Sequence, residues 1–487
     1  MLALKDLNKQ QIKYYIQIII LLGVALSLFF TFAPTLALPL FSIITIVAMA
    51  YLLAQFNLAN FFLLMVFLIP LSINLQVFDS DVTLRIPSEP LEAIIMLAFV
   101  IKLLFGYQIS LQVLKHPIFL SVLLVLILQY LALISSTMPI VSIKTVLLKT
   151  TYFMVFFVLA ADLYVKQELN HIAVLKSYTF SILLVGVIIF LKHLDYGLSK
   201  DLSGSVTEPF YADHTIYGAC LAFVIPLPML TIINRKKLKI NFYQGFWLLC
   251  LFVLLLTFFF YTYCRAGWIS FFIAITLVIA VNYGLKFKGL LFLILSAATI
   301  FFIFQQVIFE EIKQNKADSN AKNASIEQQT KSVTNITSDQ SNAERLNRWS
   351  CAYRMFLDRP YFGYGPGTYQ FEYLSYQKKT EMTRISVISP YNIKKGKGGS
   401  AHSEYLLLLS EAGIFSFTVY LLSILITIYY AIKVFTQSNN ERVRVKMLVV
   451  FFGFCTYILH AFFNNFLDTD KAALLYYTSI AAIIAES

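Results

Sequence analysis

The chain has 487 residues, 59% of them hydrophobic and only 13% charged, with a mean hydropathy of +0.74. A soluble domain of average composition carries about 25% charged residues, which excludes a water-soluble globular enzyme and makes lipid the main solvent. The net charge of +12 reads as the lysines and arginines of cytoplasmic loops rather than as a nucleic-acid-binding surface.

The N-terminal MLALKDLNKQQIK lacks a small-residue cleavage site behind its apolar run, so it reads as a cytoplasmic lead-in to a first span. A membrane helix needs about 17–25 apolar residues. Stretches of that kind follow one another at about 14–32, 36–54, 58–75, 90–106, 117–136, 145–164, 177–193, 215–233, 243–263, 267–284 and 289–308. Three more come at about 404–432, 447–464 and 471–486. The sequence therefore predicts an all-α, polytopic integral membrane protein of about fourteen spans, with about twelve as the alternative count. Its organisation is a set of spans over 1–308, a large polar loop over 309–403 and further spans over 404–487. Asn234-Arg-Lys-Lys-Leu-Lys239, Lys286-Phe-Lys288 and the cluster Arg442, Arg444 and Lys446 fall on one side when the N-terminus is cytoplasmic, which puts 309–403 on the outer side.

Within that outer loop, residues 313–342 are almost free of large apolar side chains and read as flexible. From Ala343 onward the pattern changes. Leu346, Trp349, Ala352, Tyr353 and Phe356 recur at helical spacing, which predicts a short amphipathic helix ending at Asp358, just ahead of Pro360. Gly363-Tyr-Gly-Pro-Gly-Thr-Tyr369 is a turn cluster. The chain re-enters its apolar phase through Ala401-His402-Ser403.

Arginine on the outer side runs against the usual charge asymmetry of membrane proteins. Arg265, between two long apolar spans, either snorkels to lipid headgroups or forms part of an anion site, since a guanidinium fork matches phosphate oxygens. Arg345 and Arg348 lie three apart and share a helix face, either as its solvated side or as further anion ligands. Lys144 and Lys149 add to the same field if they point inward. His402 is a candidate general base near neutral pH, with an interfacial or capping role as the plainer reading; the same plain reading applies to His214 and His460. Asp79-Ser-Asp81 and Asp468-Thr-Asp470 are paired carboxylates on the outer side, able to hold a divalent ion but equally ordinary as caps and loop charges. The five cysteines are scattered, without the spacing of a zinc site or a disulfide framework. GxSxG, HExxH and Walker patterns are missing, and no half-to-half symmetry of broken helices points to a transporter.

His402-Ser403, followed after nine residues by Gly413-Ile-Phe, resembles the histidine motif of the O-antigen ligase and Wzy-type polymerase superfamily. Arg345-Leu-Asn-Arg-Trp349, Asp358-Arg-Pro360 and Phe362-Gly-Tyr-Gly-Pro-Gly-Thr-Tyr369 are similar to the large periplasmic loop of that family, and Arg265 to its other arginine motif. The resemblance covers about 209–470; before that only the hydropathy agrees. It implies a glycosyltransferase of the GT-C type in the bacterial inner membrane, acting on the periplasmic side without metal or other cofactor. The donor is then a glycan on undecaprenyl diphosphate, held by Arg265, Arg348 and, as the weaker candidate, Arg345, while His402 takes the proton of an acceptor hydroxyl. Arg359, ahead of a proline, is expected to face solvent, and Glu404 and Glu411 are the alternative bases. Lipid A–core or a similar lipid, another lipid-linked repeat unit and a protein hydroxyl all remain open as acceptors, and a transporter of lipid-linked glycans would need no base.

Overall fold

The structure, a computed structural model, describes residues 57–76, 83–296, 299, 340–383, 385–394, 396 and 398–487. The expected spans at 14–32 and 36–54, Asp79 and Asp81, the end of 289–308 and nearly all of the polar segment 313–342 lie outside these residues. The described residues are mostly helical. Seven helices among them are long and apolar enough to cross a membrane, and Leu58–Leu71, Pro117–Leu131 and Phe287–Ser296 are shorter apolar helices.

Helix α1 spans Leu58–Leu71. The expected span 58–75 stops early because Ile73–Gln76 (β1) pairs antiparallel with Thr83–Ile86 (β2), Asn74 opposite Arg85. Helices α2 (Ser88–Leu104), α3 (Pro117–Leu131), α4 (Pro139–Val165) and α5 (His171–Asp195) follow. Next come α6 (His214–Ile233), α7 (Phe242–Phe260) and α8 (Arg265–Asn282). After the polar segment lie α9 (Gln340–Asp358), α10 (Glu404–Gln437), α11 (Glu441–His460) and α12 (Asp470–Glu486). Helix α9 begins three residues ahead of the expected start at Ala343 and stops at Asp358, as Pro360 requires.

Helix α12 is buried nearly all round, as an evenly apolar helix must be. It packs against α4, α10 and α11. Around it α8 packs on α11, α10 on α3, and α1 on α5. Two ends can be told apart. Lys237 reaches Glu441 at 3.4 Å and Lys446 pairs with Glu486, so two of the basic connections and the end of α12 share one end. At the other, Glu404 N donates to Ala461 O at 2.9 Å, and Cys264 lies 3.9 Å from His460. This second end carries the cap: α9 and the chain from Arg359 to Ala401, with a small core of its own built from Cys351, Met355, Tyr364, Tyr369, Tyr373 and Leu407.

Helix α10 is not one continuous span, as the stretch 404–432 predicted. Gly413 takes φ 73° and ψ −174° and breaks it. Backbone groups freed inside a membrane protein must find other partners, and the turn cluster supplies them. Tyr364 N donates to Ser410 O (3.1 Å), Gly365 N to Glu411 O (2.8 Å) and Ile414 N to Pro360 O (2.8 Å). The two backbones approach so closely that a Cβ on Gly413 would run into the Tyr361 carbonyl, and one on Gly363 into that of Glu411. On its far side the same turn meets the approach to α4, where Thr137 N donates to Tyr364 O at 3.0 Å. Glycines at 363 and 413 thus dock the cap into the bundle.

Candidate functional site

Helices α6, α8 and α10 all begin at the capped end, and each start brings a polar side chain. Asp213 caps α6: it accepts from Thr215 N at 3.0 Å and from Thr215 Oγ1 at 2.7 Å, and its carboxylate lies 2.8 Å from His214 Nδ1. Burial alone would raise its pKa, but the bonds from His214 and Thr215 outweigh burial and hold it below the usual carboxylate range. Arg265 opens α8. Beside it the buried thiol of Cys264 lies in the combined field of Asp213, Arg345 and Arg265, which places these three groups around one spot.

His402 stands directly before α10, in the left-handed region at φ 51°. Trp349 Nε1 donates to its carbonyl at 3.1 Å, and its own N–H points to Ser400 Oγ at 3.4 Å. Burial first, then the charges of Arg348 and Arg345, push the imidazole down to about 4, against a smaller opposing effect of Asp213 and Glu344. His402 is therefore a neutral imidazole at pH 7. The structure brings Arg265, Arg345, His402 and Asp213 to one region, and His460 feels Arg345 and Asp213 from α11.

Arg348 is turned the other way. Its Nε lies 3.0 Å from Glu344 Oε1, and Nη1 donates to Gly398 O (3.0 Å) and Ser400 O (2.9 Å), with the ring of Tyr373 5.1 Å away. Glu344 in turn accepts from Thr383 Oγ1 at 2.8 Å and from Ser386 Oγ. Arg348 thus grips the strand that leads into His402. The buried face of α9 is Glu344, Asn347, Arg348, Cys351, Ala352 and Met355, which shares only Ala352 with the expected apolar series, of which Tyr353 is 53% exposed. The segment 377–400 covers that face and meets its charges with hydroxyls and carbonyls. Arg359, expected to face solvent, is exposed but also donates to Ser135 O at 3.1 Å and lies over the Tyr364 ring.

The other candidates occupy structural posts. Lys144 is exposed, whereas Lys149 is half-buried 3.5 Å from Asp468. Asp470, the second carboxylate of its pair, turns instead to Arg85 at 2.7 Å, so the two acids diverge. Glu404 accepts from Phe466 N at 3.2 Å and Leu467 N at 3.4 Å, and Glu411 from Tyr369 N at 3.0 Å. No group of three or more His, Cys, Asp or Glu suited to a metal ion occurs among the described residues. Asp213 is the member of the site that sequence reasoning missed. An aspartate ahead of a helix reads as an N-cap, which it also is.

Residues 250–421, from within α7 through α8 and the cap into α10, match the family model described as O-antigen ligase (Wzy_C). No curated protein matches the chain. The matched stretch contains Arg265, Arg345, Arg348 and His402, and members of the family are glycosyltransferase-like enzymes. The match to the O-antigen ligase model thus lies within a chain whose described residues include seven helices long and apolar enough to cross a membrane.

Proposed function

We propose that the protein moves a glycan from undecaprenyl diphosphate to an acceptor hydroxyl on the periplasmic side of the bacterial inner membrane, with His402 as general base, Arg265 and Arg345 holding the diphosphate, and no metal ion. The observation that carries this reading is the neutral His402 lying in the field of Arg345, in the same region as Arg265 and Asp213. As the acceptor oxygen bonds to C1 of the sugar, the C1–O bond to the diphosphate breaks. The acceptor proton passes to His402, and the electron pair leaves with the diphosphate, whose growing charge the two guanidinium groups stabilise in place. Arg348 supports the same site from behind by fixing the strand that carries His402.

A base whose pKa is near 4 is weak, and the donor itself corrects this. Burial and Arg348 keep depressing His402, but a diphosphate held at Arg345 sets negative charge against the other arginine that depresses it, so its proton affinity rises when the donor is in place. Free enzyme keeps the imidazole deprotonated; the complex makes it basic.

The test is reconstitution of the full chain in vesicles with a lipid-linked glycan and three acceptors: a lipid A–core preparation, a second lipid-linked repeat unit and a serine-bearing protein. Label on the lipid supports the ligase-like reading, while label on the repeat unit or the protein selects polymerase or protein transfer. No transfer to any of them, with the donor intact, overturns the proposal. Activity abolished by chelator and restored by magnesium or manganese overturns its metal-free part. Reporter fusions at Lys237 and Ser338 should give opposite signals; equal signals remove the topology.

A further inference from the structure

Three helices that meet the turn 360–365 each carry an exposed apolar stripe. On α3 it is Leu120, Leu124, Ile127 and Leu131, repeating every three or four residues. On α4 it is Ile140, Ile143 and Leu147, and on α10 it is Phe415, Leu422 and Tyr429, two turns apart. Exposure confined to one apolar face is what lipid contact leaves on a membrane helix. The break in α10 fixes where that surface ends. Residues 414–437 rise about 36 Å, enough for a hydrocarbon layer of about 30 Å, whereas 404–412 are almost wholly buried in the protein. Gly413 therefore stands at the edge of the hydrocarbon layer, at headgroup level.

The cap carries the apolar surface past that edge. Tyr361 stacks on Phe415 with ring centroids 6.1 Å apart, and Phe362 lies 5.9 Å from the same ring. Both are exposed, as is Ile134, the neighbour of Ser135, whose Oγ lies 3.3 Å from Phe362 O. We infer that the cap has an edge seated in lipid: Tyr361, Phe362 and Ile134 lie in the headgroup layer of the leaflet at the capped end, so that the bilayer as well as the Gly413 joint holds the cap. Aromatic rings at that depth form the interfacial belt of membrane proteins. Charge agrees. Arg359 is exposed beside Tyr361 and suits lipid phosphates, while the carboxylate of the neighbouring Asp358 is engaged by the Tyr376 hydroxyl at 2.8 Å. The occupant is lipid rather than a protein because the face runs without interruption into the stripe of α10, which a water-soluble partner cannot reach.

The test takes the full chain, one copy per nanodisc, through two measurements. In hydroxyl-radical footprinting Tyr361 should be modified severalfold more slowly than Tyr391, although the protein itself leaves them equally open, at 63% and 65% exposure. Tyr391 serves as the reference because it lies in the segment 377–400 that covers the polar face of α9. In photo-labelling, a phosphatidylcholine with a diazirine beside its ester carbonyl should mark the peptide holding residues 359–364. The same lipid with the diazirine at the end of its chain should mark α10 around Leu422, about 10 Å deeper than Phe415, and spare that peptide. Equal modification of Tyr361 and Tyr391 overturns the inference. Protection of Tyr361 without lipid adducts on 359–364 assigns the face to another part of the chain, and protection that needs two copies per nanodisc assigns it to a second copy; either result overturns the seat in lipid. Adducts of the chain-end probe on 359–364 overturn the headgroup level. Neither measurement involves transfer, so both stand apart from the function proposed above.

Discussion

Helix α12 in the bundle and α9 in the cap have 17 and 19 residues, yet they are packed by opposite means. Most of the side chains that α12 buries after its first turn are alanine, leucine, tyrosine and isoleucine, and its stability is the sum of many similar contacts. The first two turns of α9 bury Glu344, Asn347 and Arg348, whose few polar atoms each hold several partners. Distributed packing tolerates a lost methyl group. A concentrated polar network does not tolerate a lost charge. The difference teaches where precision is built: the cap does not merely cover the bundle end but fixes the backbone from which His402 projects.

His402 lies at the seam between the two regions, and the largest effect is expected there. His402→Ala should lower transfer about 10²–10⁴-fold while donor binding persists, because the arginines hold the diphosphate independently. The pH dependence sharpens this. With the free-enzyme pKa at about 4, kcat/KM should stay level as pH falls through 6.5 and drop only near 4, since the neutral form is the active one. In the donor complex the diphosphate offsets the charge of Arg345, so the limb of kcat should lie at higher pH than that of kcat/KM. Coincident limbs would show that the donor does not retune His402. A folded His402→Asn protein with near-normal transfer would remove it as the base.

Arg348→Met comes next, because it leaves Glu344 buried and unpaired within the cap. Breaking a buried pair from one side costs about 3–5 kcal/mol, and the loss should appear as rapid proteolysis between residues 377 and 400 with the bundle intact. If hydrogen exchange at the cap is unchanged, Arg348 is no strut. The double change Glu344→Leu with Arg348→Met should recover part of the stability but not the transfer rate, since the grip on Gly398 and Ser400 is still missing.

How much of this was legible in the sequence depended on the length scale of the signal. Hydropathy placed the apolar helices α1–α8 and α10–α12 to within about six residues at each end, since lipid imposes long apolar runs, while α9 showed only as an amphipathic spacing. The break in α10 was not legible: Gly413 sits in an apolar stretch, and the partners of its freed backbone come from residues 360–365, some fifty positions earlier. The buried face of α9 was misread for a related reason. Helical spacing of apolar residues picked Tyr353 and Phe356, but the cap satisfies polar groups from segments whose position no local pattern reveals. Of the proposed site, His402, Arg265 and Arg345 stand out in the sequence by charge and motif, whereas Asp213 carries only the signal of a helix cap.

Gly413→Ala tests the joint between the regions. An alanine there must hold a positive φ and push against the Tyr361 carbonyl, a strain of about 1–3 kcal/mol. Exchange of the Tyr364 and Gly365 amides, which bond to Ser410 and Glu411 across the joint, should accelerate while α12 stays protected. Unchanged protection of those two amides would mean that the cap is held elsewhere.

The smallest expected effect gives the sharpest comparison, because it removes the same atom from both regions. Tyr369 in the cap and Tyr178 in the bundle are 1% and 0% exposed. Each hydroxyl donates at 2.9 Å to a helix carbonyl, that of Arg348 in α9 and that of Lys471 in α12 respectively. Changing either tyrosine to phenylalanine deletes one neutral hydrogen bond and keeps the ring, so each should cost about 0.5–1.5 kcal/mol. Function should separate them. Tyr369 steadies the residue that grips the strand into His402, so Tyr369→Phe should lower kcat severalfold and leave KM for the donor nearly unchanged. Tyr178→Phe touches only the interior of the bundle and should leave both constants alone. Equal loss of kcat in the two variants would mean that the bundle and the cap contribute alike to positioning His402.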